Sequence, residues 1–389
     1  MKILFIHNEY GKPSGEEHSL SVLERMLISH GHEIKWFRKS SSEINSLSEK
    51  MKVFFLGVYN PFIIKELDSL LQSYRPDVAI VQNLYPYISS LIIKVIKGHR
   101  IPIVMRCPNY RLFCPSGLCL DNRGRVCEKC FGKGKELWCV WNNCENNRIK
   151  SIGYALRNCY TRMSKNILNG VDVFIVQSVY QKRKFSEQGI DKRKIEILPG
   201  VAPEIPVYEY IVGNYCAFVG RVSSEKGIYE FIECAKQCPD IPFKVAGEVS
   251  DDFVMPKDLP SNIEFLGFLK EKDLDDFYHY CRIVVVPSKW YEGFPNVLLR
   301  AMLHSKPVIA TRIGAMPEII RNGENGLIVE VGNVDELSNC IHNLYTNEDL
   351  CKRLGVTGRE DLERRYTSEL IYDKLENILN MATSNHFKD

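Results

Sequence analysis

No window of this 389-residue chain approaches the ~18 unbroken apolar residues of a membrane-spanning helix. There is no internal repeat and no low-complexity tract. At 45% hydrophobic and 25% charged residues, the chain is an ordinary globular protein rather than a disordered or fibrous one. The start, MKILFIHNEY, has one early Lys and only a short apolar run before His7 and Asn8. That run reads as a first buried strand and not as a signal peptide, so a cytoplasmic protein is expected. Net charge is only +3, and no basic run carries a nucleic-acid-binding motif, which argues against nucleic acid as partner.

The small total hides an uneven spread. From Arg148 to Lys194, eleven Lys and Arg stand against Asp172, Glu187 and Asp191. Such a face attracts anionic lipid head groups, as at the inner face of a plasma membrane, or phosphorylated acceptors. A solvated face without a partner fits the same count. Cysteine is abundant, with fourteen in the chain, and clustered thiols in a cytosolic protein more often bind metal than form disulfides. Cys114, Cys127, Cys130 and Cys144 run as C-x12-C-x2-C-x13-C, a spacing that suits tetrahedral, structural zinc. Cys107, Cys119 and Cys139 lie nearby, so the ligand choice stays open, and unmetallated loop thiols are the competing account.

Short apolar runs alternate with helical patterns almost throughout. KILFIH is followed by SLSVLERMLISHG, in which Leu20, Leu23, Met26 and Leu27 recur at helical spacing before Gly31. DVAIVQ, PIVMRC and DVFIVQS continue the strands, a Pro-containing aperiodic stretch spans Val201 to Asn214, and CAFVGRV, FKVAGE, IEFLGFL, IVVVPS and PVIATR restart them. Such alternation means parallel sheets covered on both faces. The expected fold is α/β with two doubly wound, Rossmann-like domains facing across a cleft. Their expected limits are residues 1–204, with a Cys-rich insertion at 107–147, and 205–366. A terminal helix over 367–389 is expected to pack back on the first domain.

Three motifs fall at strand ends of the second half. GRVSSEKGI places Gly220 at a tight turn and Arg221 and Lys226 on a loop entering a helix, two cations suited to a diphosphate. KWYEGFPN puts Glu292 at a loop tip, before Gly293, Phe294, Pro295 and Asn296, whose amides can approach a ligand closely. PVIATRIGAMPEII brings Glu318 to a third strand end. Each alone is compatible with a solvated loop or an ordinary helix start.

In this order the motifs resemble the retaining glycosyltransferases of family 4, with the two-domain GT-B fold, over nearly the whole chain. The resemblance implies that Arg221 and Lys226 hold the donor pyrophosphate and that Glu292, with the amides of Gly293 to Asn296, contacts the transferred sugar. It implies further that EFLGFL, around Gly267 and Phe268, holds the base. PSGEEHSL, with Ser14 and Gly15, is similar to the family's Gly-Gly-Glu loop facing the donor phosphates. The cysteine segment resembles the insertion of one branch of the family. No metal or other cofactor is implied for catalysis. The donor would be a UDP or GDP sugar, and the acceptor a saccharide or lipid-linked saccharide in cell-surface polysaccharide synthesis.

Departures from the family pattern cluster in the same motifs. Arg300 stands where a second Glu normally holds the ribose, and Arg cannot accept a hydrogen bond. Pro108 replaces a histidine in CPNYRLFCP, and Gln82 another in VQNLYP. Two functions are therefore carried forward: a transferase using Arg221, Lys226 and Glu292, with Arg300 adding charge near the phosphates, and a lapsed transferase acting as a binding or partner subunit. A GT-B epimerase fits less well with an acceptor-side insertion.

Overall fold

In the computed structural model, residues 1–9, 15–40, 60–204, 208–250 and 253–386 are described. Pro13 and Ser14 of the N-terminal loop, and residues 205–207 of the aperiodic stretch, lie outside them. The chain divides into two compact units: Met1–Asn122, Cys127–Pro199 and Ile371–Asp389 in the first, Arg123–Val126 and Gly200–Leu370 in the second.

The first unit is built on a parallel sheet. Its strands are β1 (Lys2–Glu9), β2 (Glu33–Ser40), β3 (Val78–Val81), β4 (Ile103–Arg106), β5 (Val173–Val176) and β6 (Ile195–Ile197), in the order β2-β1-β3-β4-β5-β6. β3, β4 and β5 are buried at every residue, as parallel strands covered on both faces must be. The helix Gly15–Ser29 buries Leu20, Leu23, Met26 and Leu27, the stripe set by its spacing. The last helix, Ser368–His386, contributes buried Ile371, Leu375 and Leu379. Its Tyr372 hydroxyl lies 2.9 Å from His32 Nε2, and its ring stacks on His30 at 3.5 Å.

The second unit repeats the plan with β7 (Cys216–Val219), β8 (Phe243–Ala246), β9 (Ile263–Gly267), β10 (Ile283–Val286), β11 (Val308–Thr311) and β12 (Gly326–Val329), ordered β12-β11-β10-β7-β8-β9. Alternate residues serve opposite faces. Ala217, Val284, Val308 and Ala310 join one core with Leu298, Leu299 and Met302 of the helix Asn296–Leu303. Cys216, Phe218, Ile283, Val285 and Ile309 join the other, with Phe231 and Ile232 of the helix Ile228–Gln237 and Leu337 and Ile341 of Val334–Thr346. Order reverses between β7 and β10, so the chains leaving these neighbours run to opposite sides of the sheet. That opens a crevice at their carboxyl ends, where doubly wound sheets bind ligands.

Candidate active site

At the β7–β10 crevice three strand-end loops meet around one carboxylate. Glu292, 7% exposed, follows β10, and its Oε1 accepts from Lys226 Nζ at 2.6 Å, Trp290 Nε1 at 2.7 Å and Ser288 Oγ at 3.0 Å. Lys226 comes from the turn after β7, and its ammonium also lies 5.1 Å from the Trp290 ring centroid. The loop after β11 adds the Ala315 N–H to the Glu292 carbonyl at 3.1 Å, and Thr311 Oγ1 donates to the Ser288 carbonyl at 2.6 Å.

Two glycines allow these loops to touch backbone to backbone. Gly227 has φ +81°, and a Cβ there would lie 2.0 Å from the Pro287 carbonyl oxygen. Gly314, at φ +57°, would place one 2.7 Å from the Glu292 carbonyl oxygen. Any side chain at either position would push a loop away from Glu292.

Arg221 sits at the crevice rim. It is 51% exposed, and its Nη2 donates to Glu225 Oε1 at 2.5 Å. Gly220 turns the chain out of β7 with φ +139°. Gly293 follows Glu292, Phe294 packs edge-to-face on Tyr366 at 5.4 Å, and Pro295 caps the helix that begins at Asn296. Gly267 ends β9 with φ +70°, and Phe268 beyond it is 75% exposed. Glu318 is half-buried on the short helix Met316–Ile319. Gly15 opens the first helix of the other unit.

Arg300 has a partner that spacing did not reveal. Its Nε lies 3.1 Å from Asp275 Oδ1, on the helix Glu271–Tyr280. His304 Nε2 approaches the same oxygen at 3.6 Å. Burial, reinforced by His279, Lys306 and Arg300, pulls His304 down to about 3, so it is neutral near pH 7. Arg300 is therefore the cation that balances Asp275, whose own carboxyl is pushed up by burial. Ser288, Trp290 and Asp275 are the site residues that sequence reasoning missed.

The first unit has its own strand-end cluster. Arg106, at the end of β4 and 4% exposed, donates to Gln82 Oε1 at 2.7 Å and Ser19 Oγ at 2.6 Å. Burial lowers its guanidinium to about 10, which leaves it charged. Gln82, Arg106, Pro108, Asn109 and Arg111 line a small pocket, with Asn109 donating to Glu16 at 2.7 Å and Arg111 to Asn83 at 3.0 Å. His7 nearby is buried and drawn down to about 4 by that burial.

The zinc expectation falls on a cluster of thiols in the first unit. Among the described residues no group of three or more His, Cys, Asp or Glu is placed to hold a metal ion. Cys114, Cys127, Cys130 and Cys144 nonetheless lie close enough to act electrostatically on one another. Cys114 Sγ lies 3.3 Å from Ser116 Oγ, and hydrogen bonding from Cys119 draws its thiol down to about 6. A hydrogen bond from Cys139 draws the Cys144 thiol down, and Cys127 accepts from Asn142 Nδ2 at 3.8 Å. All fourteen cysteines are free thiols.

Residues 213–361 match the family described as glycosyl transferases group 1. The matched stretch falls within the second unit, Gly200–Leu370. It includes Lys226, Glu292 and the β7–β10 crevice. An uncharacterized glycosyltransferase of Methanocaldococcus jannaschii is 38% identical over 194 residues, 49% of this chain and 54% of that protein. The capsular polysaccharide biosynthesis glycosyltransferase CapM of Staphylococcus aureus is 29% identical over 42% of this chain and 45% of its own. The chain thus spans about half the length of these two relatives. Among solved structures, Anabaena HepE in complex with UDP superposes with a TM-score of 0.68 at 17% identity, covering 98% of this chain and 100% of that one. At that identity the likeness establishes the fold alone: GT-B, with two Rossmann-like units.

Proposed function

We propose that the protein is a retaining glycosyltransferase that moves a hexose-type sugar from a UDP- or GDP-linked donor to a saccharide or lipid-linked acceptor in cell-surface polysaccharide synthesis. The observation that carries this is the Lys226–Glu292 pair at the β7–β10 crevice, within the residues that match group 1 glycosyl transferases. Lys226 and Arg221 would neutralise the charge that grows on the leaving β-phosphate, the dominant electrostatic contribution in such a transfer. Each cation rests on a carboxylate, Glu292 and Glu225 respectively. A diphosphate competes for both, and as it draws Lys226 away it frees Glu292 to accept from sugar hydroxyls. The acceptor hydroxyl attacks on the face the phosphate leaves, and that phosphate takes the proton.

Gly220, Gly267, Phe268, Gly293 to Asn296 and Glu318 would complete the donor contacts. Arg300, engaged with Asp275, would then support the helix behind the nucleotide rather than grip the ribose. The same engagement favours the second reading, a lapsed transferase. Calorimetric titration with UDP and GDP separates the two: millimolar or tighter binding, followed by turnover of a donor screened by mass spectrometry, is expected. No nucleotide heat would refute the proposal. Zinc enters no step of it, and metal analysis of the purified protein decides whether Cys114, Cys127, Cys130 and Cys144 rearrange around an ion.

A further inference from the structure

The helix Arg148–Ser164 is inside out. Its buried residues are Ser151, Ala155, Arg157, Asn158 and Thr161, all polar except one. Its outward side carries Ile149, 75% exposed, Ile152, Leu156 and Met163, 70% exposed. These recur at intervals of three, four and seven, a single stripe along the helix. An ordinary surface helix turns such a stripe inward. Here the polar side is anchored instead: Arg157 Nη2 donates to the Pro115 carbonyl at 2.9 Å, Asn158 Nδ2 to the Arg111 carbonyl at 2.8 Å, and Thr161 Oγ1 meets the Tyr85 hydroxyl at 2.6 Å. Arg157 also lies over the Tyr85 and Tyr154 rings, at 4.2 and 4.3 Å. The helix cannot roll to hide its stripe without breaking all of these.

The short helix Leu137–Trp141 packs beside it and adds Leu137, Trp138 and Trp141, the last 84% exposed. Exposed apolar surface of this extent, rimmed by charge, marks an interaction site. The charge says what sits there. From Lys129 to Lys165 eight Lys and Arg stand against two Glu. Both Glu are engaged within the segment, Glu136 by Arg162 at 2.5 Å and Glu145 by Lys150 at 2.7 Å. A second copy of the chain would bring this excess of cations against itself. An anionic lipid surface complements both features, because Trp and aliphatic side chains enter the headgroup layer while Lys and Arg reach its phosphates. No helix among the described residues is long and apolar enough to cross a bilayer, so the contact lies on the surface.

We propose that this helix pair seats the first unit on an anionic lipid surface, with Leu137, Trp138, Trp141, Ile149, Leu156 and Met163 entering the headgroup layer. The seat does not depend on the transferase reading, and its test needs no turnover. The full chain is co-sedimented with vesicles of phosphatidylglycerol and phosphatidylcholine, and with phosphatidylcholine alone. The expected result is partition to the anionic vesicles only, weakened about tenfold or more in a W141E/L156E double variant. A K133E/K135E variant should bind more weakly and with less dependence on salt. Thermal unfolding checks both folds; should the first variant be unstable, the second decides alone. Absence of binding to anionic vesicles, equal binding to both vesicle types, or binding unchanged by the substitutions would overturn the proposal. So would a dimer in sedimentation velocity that W141E/L156E dissociates, since a second copy would then cover the stripe.

Discussion

Lys226→Ala separates the two roles the structure gives this ammonium. It is one of three donors to Glu292 Oε1 among the described residues, 2.6 Å away. Stripping the partner from a fully buried charge costs about 3–5 kcal/mol. Lys226 is 24% exposed, and Ser288 and Trp290 still donate to the carboxylate after the change. The expected loss of stability is therefore about 1–2 kcal/mol, read as a shifted urea midpoint at constant slope. In turnover the same residue meets a forming phosphate charge, and its loss should lower kcat by about 10²–10³, or about 2.7–4 kcal/mol. The catalytic loss thus exceeds the structural one, and a Glu292→Gln background tests the coupling directly. With the carboxylate neutralised, Lys226→Ala should cost little further stability yet keep most of its kinetic penalty. A kcat within about threefold of the parent, with unchanged UDP affinity, would refute the assignment of Lys226 to the diphosphate.

Arg221→Ala should lower turnover by about 10²–10³ with little change in urea midpoint, because this side chain is half exposed and its ion pair is with Glu225 four residues away; an unchanged rate would remove it from the donor site. Arg300→Glu would set a second carboxylate against Asp275 and should destabilise the second unit by about 3–5 kcal/mol, measured by urea unfolding; unaltered stability would contradict the ion pair. His304, held neutral with its pKa lowered from 6.5 to about 3, favours the fold fully above pH 6.5, and that contribution drains away as pH falls toward 3. A His304→Gln variant should therefore lose stability less steeply over that interval, as urea midpoints at several pH values would read out. Ending the chain after Tyr366 exposes the sites of Ile371, Leu375 and Leu379, each worth about 1.5–3 kcal/mol, and should abolish the cooperative melt of the first unit.

The sheets were legible because parallel strands must be apolar on both faces. VAIV, IVMR, VFIV and IVVV are each buried throughout and stand out from any amphipathic helix. The stripe Leu20, Leu23, Met26, Leu27 placed the first helix for the same reason. Glu292 and Lys226 could be named because each follows a strand and precedes a helix, where local spacing carries the information. Their contact, across 66 residues, could not. Neither could Asp275, which reaches Arg300 from another helix. Spacing reports what one segment can do, whereas these partners are chosen by packing between segments. Charge counting found the basic stretch but not the inverted helix within it, because burial of Arg157 and exposure of Leu156 depend on what that helix packs against.

His32 and Tyr372 meet across 340 residues, which gives synthesis on the ribosome an order of events. The first unit is begun early but lacks its closing helix until all of the second has emerged. A nascent chain must therefore hold an unfinished hydrophobic face while an entire neighbouring unit is translated, the interval in which holdase chaperones have most to protect.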